Sequence, residues 1–447
     1  MQHKEARRLA RRQVLTVSLM VVGYAGFYLC RSDLPVTMPL IIDDLARRGI
    51  DPSRARSWLG WVLTLGTIAY ALGKFAAGSL TDLLGGRRNY LLGMAGAVIC
   101  TIVLALGGPL PVFTVAWFGN RLIQSLGWPG MVKITSRWFS FSRYGTVMGI
   151  ISLSFLFGDA LARVFMGWLI TDLALSWQAV FWIAAGVLAV FLVMNAALIR
   201  ESPRELGLPE PATNPENLFG ALGEEPHPES VMSLWATLAR SHAFWTVCLL
   251  SLGLTLLRET FNNWTTTYLV EGVGLAKGDA AGKSALFPLA GGVSVILAGY
   301  LGDRLGPRGR AAIILGGIAL CALALGLLGS TSFYGRPDAA LALVVSVAFL
   351  LIGPYSYLAG AISLDFGGKR GGATACGIID GVGYLFGSVV AGNVVAGLSD
   401  RLGWQGVFFM LTGVAAATGL VAAWFLAGQC RPTAVAPKLD VSERVVG

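Results

Sequence analysis

The sequence predicts an all-α, polytopic membrane protein whose twelve transmembrane helices form two pseudo-symmetric six-helix bundles. Three observations carry this expectation. Of 447 residues, 55% are hydrophobic and 13% charged, with a mean hydropathy of +0.67, whereas soluble domains carry about twice that share of charge. The apolar residues fall into segments of about 20, the length at which a helix crosses a bilayer core. Landmarks of the first half also recur in the second at a nearly constant distance. A soluble multidomain enzyme of this length is excluded.

The candidate spans begin near Val14, Trp58, Tyr90, Val112, Gly145 and Val180, then near Phe244, Ala285, Ala311, Ala339, Ala373 and Val407. Residues 1–199 are therefore expected to form one bundle and residues 241–430 the other. Between them, residues 200–240 hold Pro203, Pro209, Pro211, Pro215, Pro226, Pro228 and several glutamates, and read as a cytoplasmic linker. Residues 431–447 read as a short, polar cytoplasmic tail.

The formal charge of +9 reflects topology rather than nucleic-acid binding. Basic residues gather in short connections between spans, as cytoplasmic loops require. Lys4, Arg7, Arg8, Arg11 and Arg12 precede the first span and place the N-terminus inside. That first apolar run is too long for a cleavable signal. A multi-pass protein of a bacterial inner (plasma) membrane, with both termini cytoplasmic and acting as a monomer, is expected.

The six cysteines (Cys30, Cys100, Cys248, Cys321, Cys376 and Cys430) show neither metal nor disulfide spacing, and the three histidines lie outside span interiors or near an end. No nucleophile–base constellation and no phosphate-cradling Walker loop occurs. Neither enzymatic chemistry, a metal, a cofactor nor ATP-driven transport is expected.

The internal repeat is specific. Gly78, Leu80, Asp82, Gly85 and Arg87 recur as Gly299, Leu301, Asp303, Gly306 and Arg308, an offset of 221 (303 − 82). Trp177-Gln178-Ala179-Val180-Phe181 recurs as Trp404-Gln405-Gly406-Val407-Phe408, an offset of 227 (404 − 177). Two parallel six-helix repeats with a site between them form a transporter architecture. The glycines of the repeated loop permit tight turns and close helix approach. Asp82 and Asp303 are read as a structural latch, or gating pair, rather than as ligands.

Two arginines interrupt apolar runs at the same 227 offset (258 − 31), Arg31 in the first span and Arg258 in the seventh. A cation at membrane depth costs roughly 2.5–3.5 kcal/mol on insertion scales and marks a function or a partner. Each guanidinium is a planar fork suited to two phosphate oxygens and does not shed its charge. A phosphomonoester carries about −1.5 to −2 charges at pH 7, so two arginines nearly neutralise it. Asp33 and Glu259 are close in sequence, but residues one or two apart on a helix point in different directions, which favours an anion site over local ion pairs.

Tyr24, Tyr28 and Arg31 share one helix face at i, i+4, i+7, and Tyr70 and Lys74 form a second patch at i, i+4. Asp159 and Arg163 stand i, i+4 on the fifth span and are expected to pair with each other, with coupling or gating as the alternative role. Asp380 is an intramembrane acid without a sequence-local partner; it carries a proton, coordinates hydroxyls or pairs with an arginine such as Arg258. Asn262 and Asn263 follow Arg258 and are candidates for orienting a hydroxylated substrate, while Trp264 is equally a packing residue. Lys133 and Arg137, ending the fourth span, are read as loop-facing charges.

The repeated loop and the twelve-span plan resemble the major facilitator superfamily and its fold. Within it, the chain is similar to the organophosphate:phosphate antiporters. The matching stretches are FYLCR (Phe27 to Arg31), YALGKFAAGSLTD (Tyr70 to Asp82), LGWPGMVK…RWF (Leu126 to Phe139), ESPRELGL (Glu201 to Leu208) and LLRETFNNWTTTYL (Leu256 to Leu269). GPYSYLAGAISLDFG (Gly353 to Gly367) and GIIDGVGY (Gly377 to Tyr384) look more like animal and plant sugar-phosphate exchangers. The resemblance implies exchange of a sugar-phosphate or glycerol-phosphate type ester for inorganic phosphate. It also implies that Arg31 and Arg258 hold the phosphate, with Tyr24, Tyr28, Tyr70, Lys74 and the eleventh-span Tyr384 lining the cavity. One departure stands out: the family's fifth-span histidine falls on Gly158. Two other readings stay open, a proton-coupled carrier of organic anions or drugs and a metabolite sensor of the same fold.

Overall fold

A computed structural model describes residues 2–388 and 390–429. Its first half consists of α1 (Gln2–Arg47), α2 (Pro52–Leu84), α3 (Gly86–Ala105), α4 (Leu110–Gln124), α5 (Gly127–Trp138), α6 (Tyr144–Thr171) and α7 (Trp177–Leu198). A short helix, α8 (Val231–Ala239), follows. The second half consists of α9 (His242–Glu271), α10 (Lys277–Ser284), α11 (Leu286–Ser330), α12 (Pro337–Tyr357), α13 (Ser363–Val382) and α14 (Val395–Gln429). Helix is what apolar sequence of this kind must form in lipid, because each backbone polar group has to be satisfied within the segment. Local signals set the ends. Asp51 caps α2 by accepting from the Ser53 and Arg54 amides at 2.9 and 3.1 Å, with Pro52 at the first helical position.

Among the described residues, nine helical stretches are long and apolar enough to cross a membrane. Two of them divide, giving eleven spans, and α4 with α5, outside the nine, bring the total to twelve. Gly306 (φ 68°) and Gly368 (φ 56°) break long stretches in two, and Gly403 (φ 67°) ends the eleventh span. The short helices α4 and α5 together make the fourth. Gly85, the partner of Gly306 in the repeated loop, also has positive φ (93°). Three wide π-turns, Leu358–Ile362, Gly383–Ser388 and Val390–Val394, interrupt the second half; such turns collect at functional sites.

The two halves meet at the end that carries the repeated loops. A Cβ at Gly299 would lie 2.5 Å from Gly145 O, and one at Gly78 would lie 2.5 Å from Ala373 O. Only glycine permits backbones this close. Each loop aspartate then reaches into the opposite half. Asp303 accepts from the Gly145 and Thr146 amides at the start of α6, at 2.7 and 2.6 Å, where helix N-termini favour anions. Asp82 accepts from the Thr374 amide and hydroxyl at 2.7 and 2.8 Å. Towards the other end, no hydrogen bond joins the halves beyond the mid-plane among the described residues, and Trp61, Asn262 and Phe386 are exposed.

Lys133 and Arg137 face the 200–240 linker, as the sequence suggests, but both are buried under it. Lys133 is fully buried and donates to Asp82 at 2.8 Å, to Pro226 O at 2.7 Å and to Lys369 O. An ammonium with three donors is stable there because every donor finds an oxygen. Arg137 is clasped by Glu210 at 2.7 Å. Residues 200–240 are an acidic strap across this end. Glu210 and Glu224 pair with Lys369 at 3.5 and 2.8 Å, and Glu225 pairs with Arg370 at 2.8 Å. The expected tail, residues 431–447, and Cys430 lie outside the described residues.

Candidate substrate-binding site

A small cavity lies between the halves at mid-height. The first half contributes Tyr24, Tyr28, Tyr70 and Lys74; the second contributes Arg258, Tyr355, Asp380 and Tyr384. Helix periodicity assembles them. Tyr24 and Tyr28 are one turn apart on α1, as are Tyr70 and Lys74 on α2, and Asp380 opens the turn that ends at Tyr384.

The i, i+4 pairs of the two halves face each other. Lys74 donates to Asp380 at 2.7 Å in a buried bridge, and Tyr70 meets Tyr384 edge-on with ring centroids 5.4 Å apart. Asp380 therefore pairs with Lys74 and not with Arg258. The Lys74 ammonium also lies 4.9 Å from the Tyr70 ring centroid.

Arg258 is buried, donates to the Tyr384 hydroxyl at 2.6 Å, and stacks 4.4 Å over Tyr355. It also pairs with its chain neighbour Glu259, against the expectation that adjacent helical residues diverge. Their side chains leave the helix in different directions, but arginine is long enough to curl back within the cavity wall. Its Nε remains buried without a partner.

Arg31 is not among the residues that line the Arg258 cavity; it sits behind two that do, Tyr28 and Tyr70. Its guanidinium stacks on Tyr28 and Tyr70, 4.6 Å from each ring centroid, and donates to Gln124 Oε1 at 3.1 Å and to the Tyr28 hydroxyl at 3.2 Å. The tyrosines stand between the two arginines. Arg31 Nη2 is likewise buried and unpartnered, and Asp33 makes no ion pair with it, using Oδ1 to accept from the Leu34 amide at 2.7 Å.

Other candidates lie away from the cavity. Asp159 pairs with Arg163 at 2.9 Å and accepts from the Ser32 hydroxyl at 2.5 Å, with side chains 37% and 53% exposed for Asp159 and Arg163. Asn262 is exposed and outside the cavity lining, and Trp264 packs, donating to Ala391 O at 2.8 Å. Asp82 and Asp303 sit at the latched end. Gly158 has a packing reason: a Cβ there would come within 3.0 Å of Ala25 Cα, so a larger side chain would push α6 from α1.

Sequence reasoning passed over four residues. Gln124 and Arg121 hold and neighbour Arg31; Trp128 donates across the halves to Ala359 O at 2.9 Å; Tyr355 stacks on Arg258. Arg121 carried the same signal as Arg31, a cation inside an apolar run. Tyr355 and Trp128 lie in two of the family-like stretches, but nothing in the sequence marks them as cavity residues.

The sequence model described as Major Facilitator Superfamily matches residues 20–390. The glycerol-3-phosphate transporter of Bacillus subtilis (strain 168) is 26% identical over 401 residues, covering 87% of each chain. A probable hexose phosphate transport protein of Chlamydia trachomatis is 27% identical over 405 residues, covering 88% of this chain and 86% of that one. The resemblance to organophosphate carriers drawn from the motifs is thus matched along most of the chain. Among solved structures, the human organic anion transporter MFSD10 superposes with a TM-score of 0.70 at 16% identity, covering 92% of this chain and 99% of its own; this likeness concerns the fold alone.

Proposed function

This chain belongs to the Major Facilitator Superfamily, and from that premise we propose that it exchanges an organic phosphate ester for inorganic phosphate by alternating access. The observation that carries the reading is Arg258. It is a buried guanidinium with an unpartnered Nε, placed in a cavity to which both halves contribute. A phosphate oxyanion satisfies that donor and supplies the charge that the fork is shaped to accept. Relatives whose names specify glycerol 3-phosphate and hexose phosphate support an ester as the organic substrate.

Positive-inside topology makes the latched end cytoplasmic, so this arrangement faces outward. An anion that draws Arg31 from one half and Arg258 from the other pulls the halves together above the site. The same anion competes with Asp380 for Lys74, loosening the bridge from the opposite side. Turnover then requires the Asp82 and Asp303 latches to open. Without an anion, closing the site encloses Arg31, which has no carboxylate partner, in low dielectric, so the empty carrier returns slowly and exchange is favoured over uniport. The tyrosine hydroxyls around the cavity supply hydrogen bonds for the organic group.

The test is counterflow of radiolabelled phosphate in vesicles reconstituted with the full chain. Uptake is expected only when phosphate, glycerol phosphate or a hexose phosphate is present inside, and Arg258→Lys is expected to abolish it. Uptake driven by a pH gradient with no internal phosphate would overturn exchange in favour of a proton-coupled carrier. Phosphate binding without any exchange would leave a sensor.

A further inference from the structure

A third intramembrane arginine stands outside that cycle. Arg121 on α4 places its guanidinium carbon 4.9 Å from the Tyr70 ring centroid, while that of Arg31 lies 4.6 Å from the same centroid. Room for it comes from Gly66, one turn before Tyr70 on α2, where a Cβ would sit 2.9 Å from Arg121 Cγ. Gln124, one turn beyond Arg121, accepts from Arg31 Nε at 3.1 Å and anchors itself by donating to Cys30 O at 3.0 Å. Three helices thus hold two guanidiniums around one aromatic ring.

Like charges so placed repel, and a ring face offers no acceptor for their outer N–H groups. Arg31 Nη2 and Arg121 Nη1 are both buried without a hydrogen-bond partner. Two of the acids nearby are committed elsewhere: Asp380 to Lys74, and Asp159 to Arg163 and Ser32. Asp33 turns one oxygen to the Leu34 amide, and its other oxygen meets no donor. Among the described residues, neither guanidinium has a carboxylate within salt-bridge distance. Two guanidiniums against one ring, each with a buried N–H that lacks an acceptor, are suited to a doubly charged oxyanion.

Its height follows from helix geometry. Arg31 lies seven residues beyond Tyr24 on α1, and Arg121 lies seven residues before Trp128 on the oppositely directed α4–α5 span. Tyr24 and Trp128 both line the Arg258 cavity. Seven residues of helix rise about 10 Å, so both arginines stand on the side of the tyrosine layer away from the latch.

We propose that Arg31 and Arg121 form an outer docking station for a phosphate dianion, free or esterified, reached before the Arg258 cavity. Tyr70 is the partition between the two stations. Its ring touches both arginines and meets Tyr384 edge-on. An anion that draws the guanidiniums off the ring frees Tyr70 to part from Tyr384, and Arg31 then accompanies the anion inward. This inference rests on the phosphate-exchange reading.

Equilibrium binding of radiolabelled inorganic phosphate at pH 8 to the full chain in detergent tests it. Arg258→Gln is expected to lose counterflow yet retain phosphate binding at the outer station. Adding Arg121→Gln to that variant is expected to weaken the remaining binding at least about tenfold, the scale of losing a charge-assisted fork. If the glutamine variant does not fold, Arg121→Lys in the same background carries the test, and is expected to weaken binding because an ammonium keeps the charge but not the fork. Loss of all binding in Arg258→Gln, or unchanged binding on substituting Arg121, overturns the outer station and leaves exchange standing. Absence of phosphate binding by the wild-type chain overturns both.

Discussion

Lys74 of α2 donates to Asp380 of α13 at 2.7 Å, and both side chains are buried at the seam between the halves. One turn farther from the latch, Tyr70 and Tyr384 repeat the pairing as an aromatic contact. The seam at the cavity is therefore a charge pair beside a ring pair, and both must separate when the halves rock.

Removing one member of that bridge strands the other. Lys74→Met or Asp380→Asn alone is expected to destabilise the protein by about 3–5 kcal/mol, the scale for an uncompensated buried charge. The double variant, Lys74→Met with Asp380→Asn, is expected to recover most of that loss. Thermal unfolding in detergent measures both; single variants as stable as wild type would show that the bridge contributes nothing.

Gly299 and Gly145 act as a spacer of zero width. Alanine at Gly299 places its Cβ 2.5 Å from Gly145 O, which the latched arrangement cannot absorb without about 1–3 kcal/mol of strain. Gly299→Ala is expected to favour the state in which this end is open. In a chain whose only cysteine is Cys376, buried on α13, maleimide should then react about five to a hundred times faster than in the same chain with Gly299. An unchanged rate would remove the glycine contact from the latch.

The acidic strap gives the latched end a pH dependence. Burial works to raise the Glu210 pKa, but hydrogen bonding and charge from Arg137 outweigh it and hold the carboxyl below its ordinary value; Glu224 is held down by Lys369 and Thr213 in the same way. A carboxylate depressed by folding stabilises the folded state above its unfolded pKa, and that contribution fades as pH falls. Proteolysis within residues 200–240 is expected to be slow at neutral pH and to accelerate as pH drops below about 4.3, the ordinary glutamate value. Glu210→Gln should cleave faster than wild type at pH 7. A protease that tolerates low pH reads out both.

Two substitutions separate cavity residues from bystanders. Asn262→Ala removes an exposed amide outside the cavity, and phosphate affinity is expected to stay within about twofold. Tyr384→Phe removes the hydroxyl that accepts from Arg258 at 2.6 Å. A hydrogen bond to a charged group is worth about 1.5–3 kcal/mol, so a loss of about tenfold or more in phosphate affinity is expected. Equal effects in the two variants would mean that the Arg258–Tyr384 contact does not organise the site.

Much of the site was visible in the sequence because lipid makes charge conspicuous. Arg31, Arg258, Lys74 and Asp380 each interrupt an apolar run, and in hydrocarbon such interruptions are too costly to be incidental. The same criterion, applied evenly, selects Arg121. What failed was pairing. The rule for side-chain directions excludes Glu259, but a long arginine evades it, and the end-of-span position of Lys133 gives no sign that its loop-facing ammonium is buried. Its burial depends on Pro226 and Lys369, which lie far along the chain.

By itself, the sequence determined the twelve spans, the twofold repeat and which side chains carry charge into the membrane, since bilayer thickness and the cost of desolvation act on each segment separately. Only the tertiary structure decided that Lys74 meets Asp380 across 306 positions, and that Tyr28 and Tyr70 keep Arg31 out of the cavity of Arg258. Those relations depend on how two bundles dock. Docking is set by backbone approach at glycines such as Gly145 and Gly299, a property of surfaces brought together rather than of any stretch read alone.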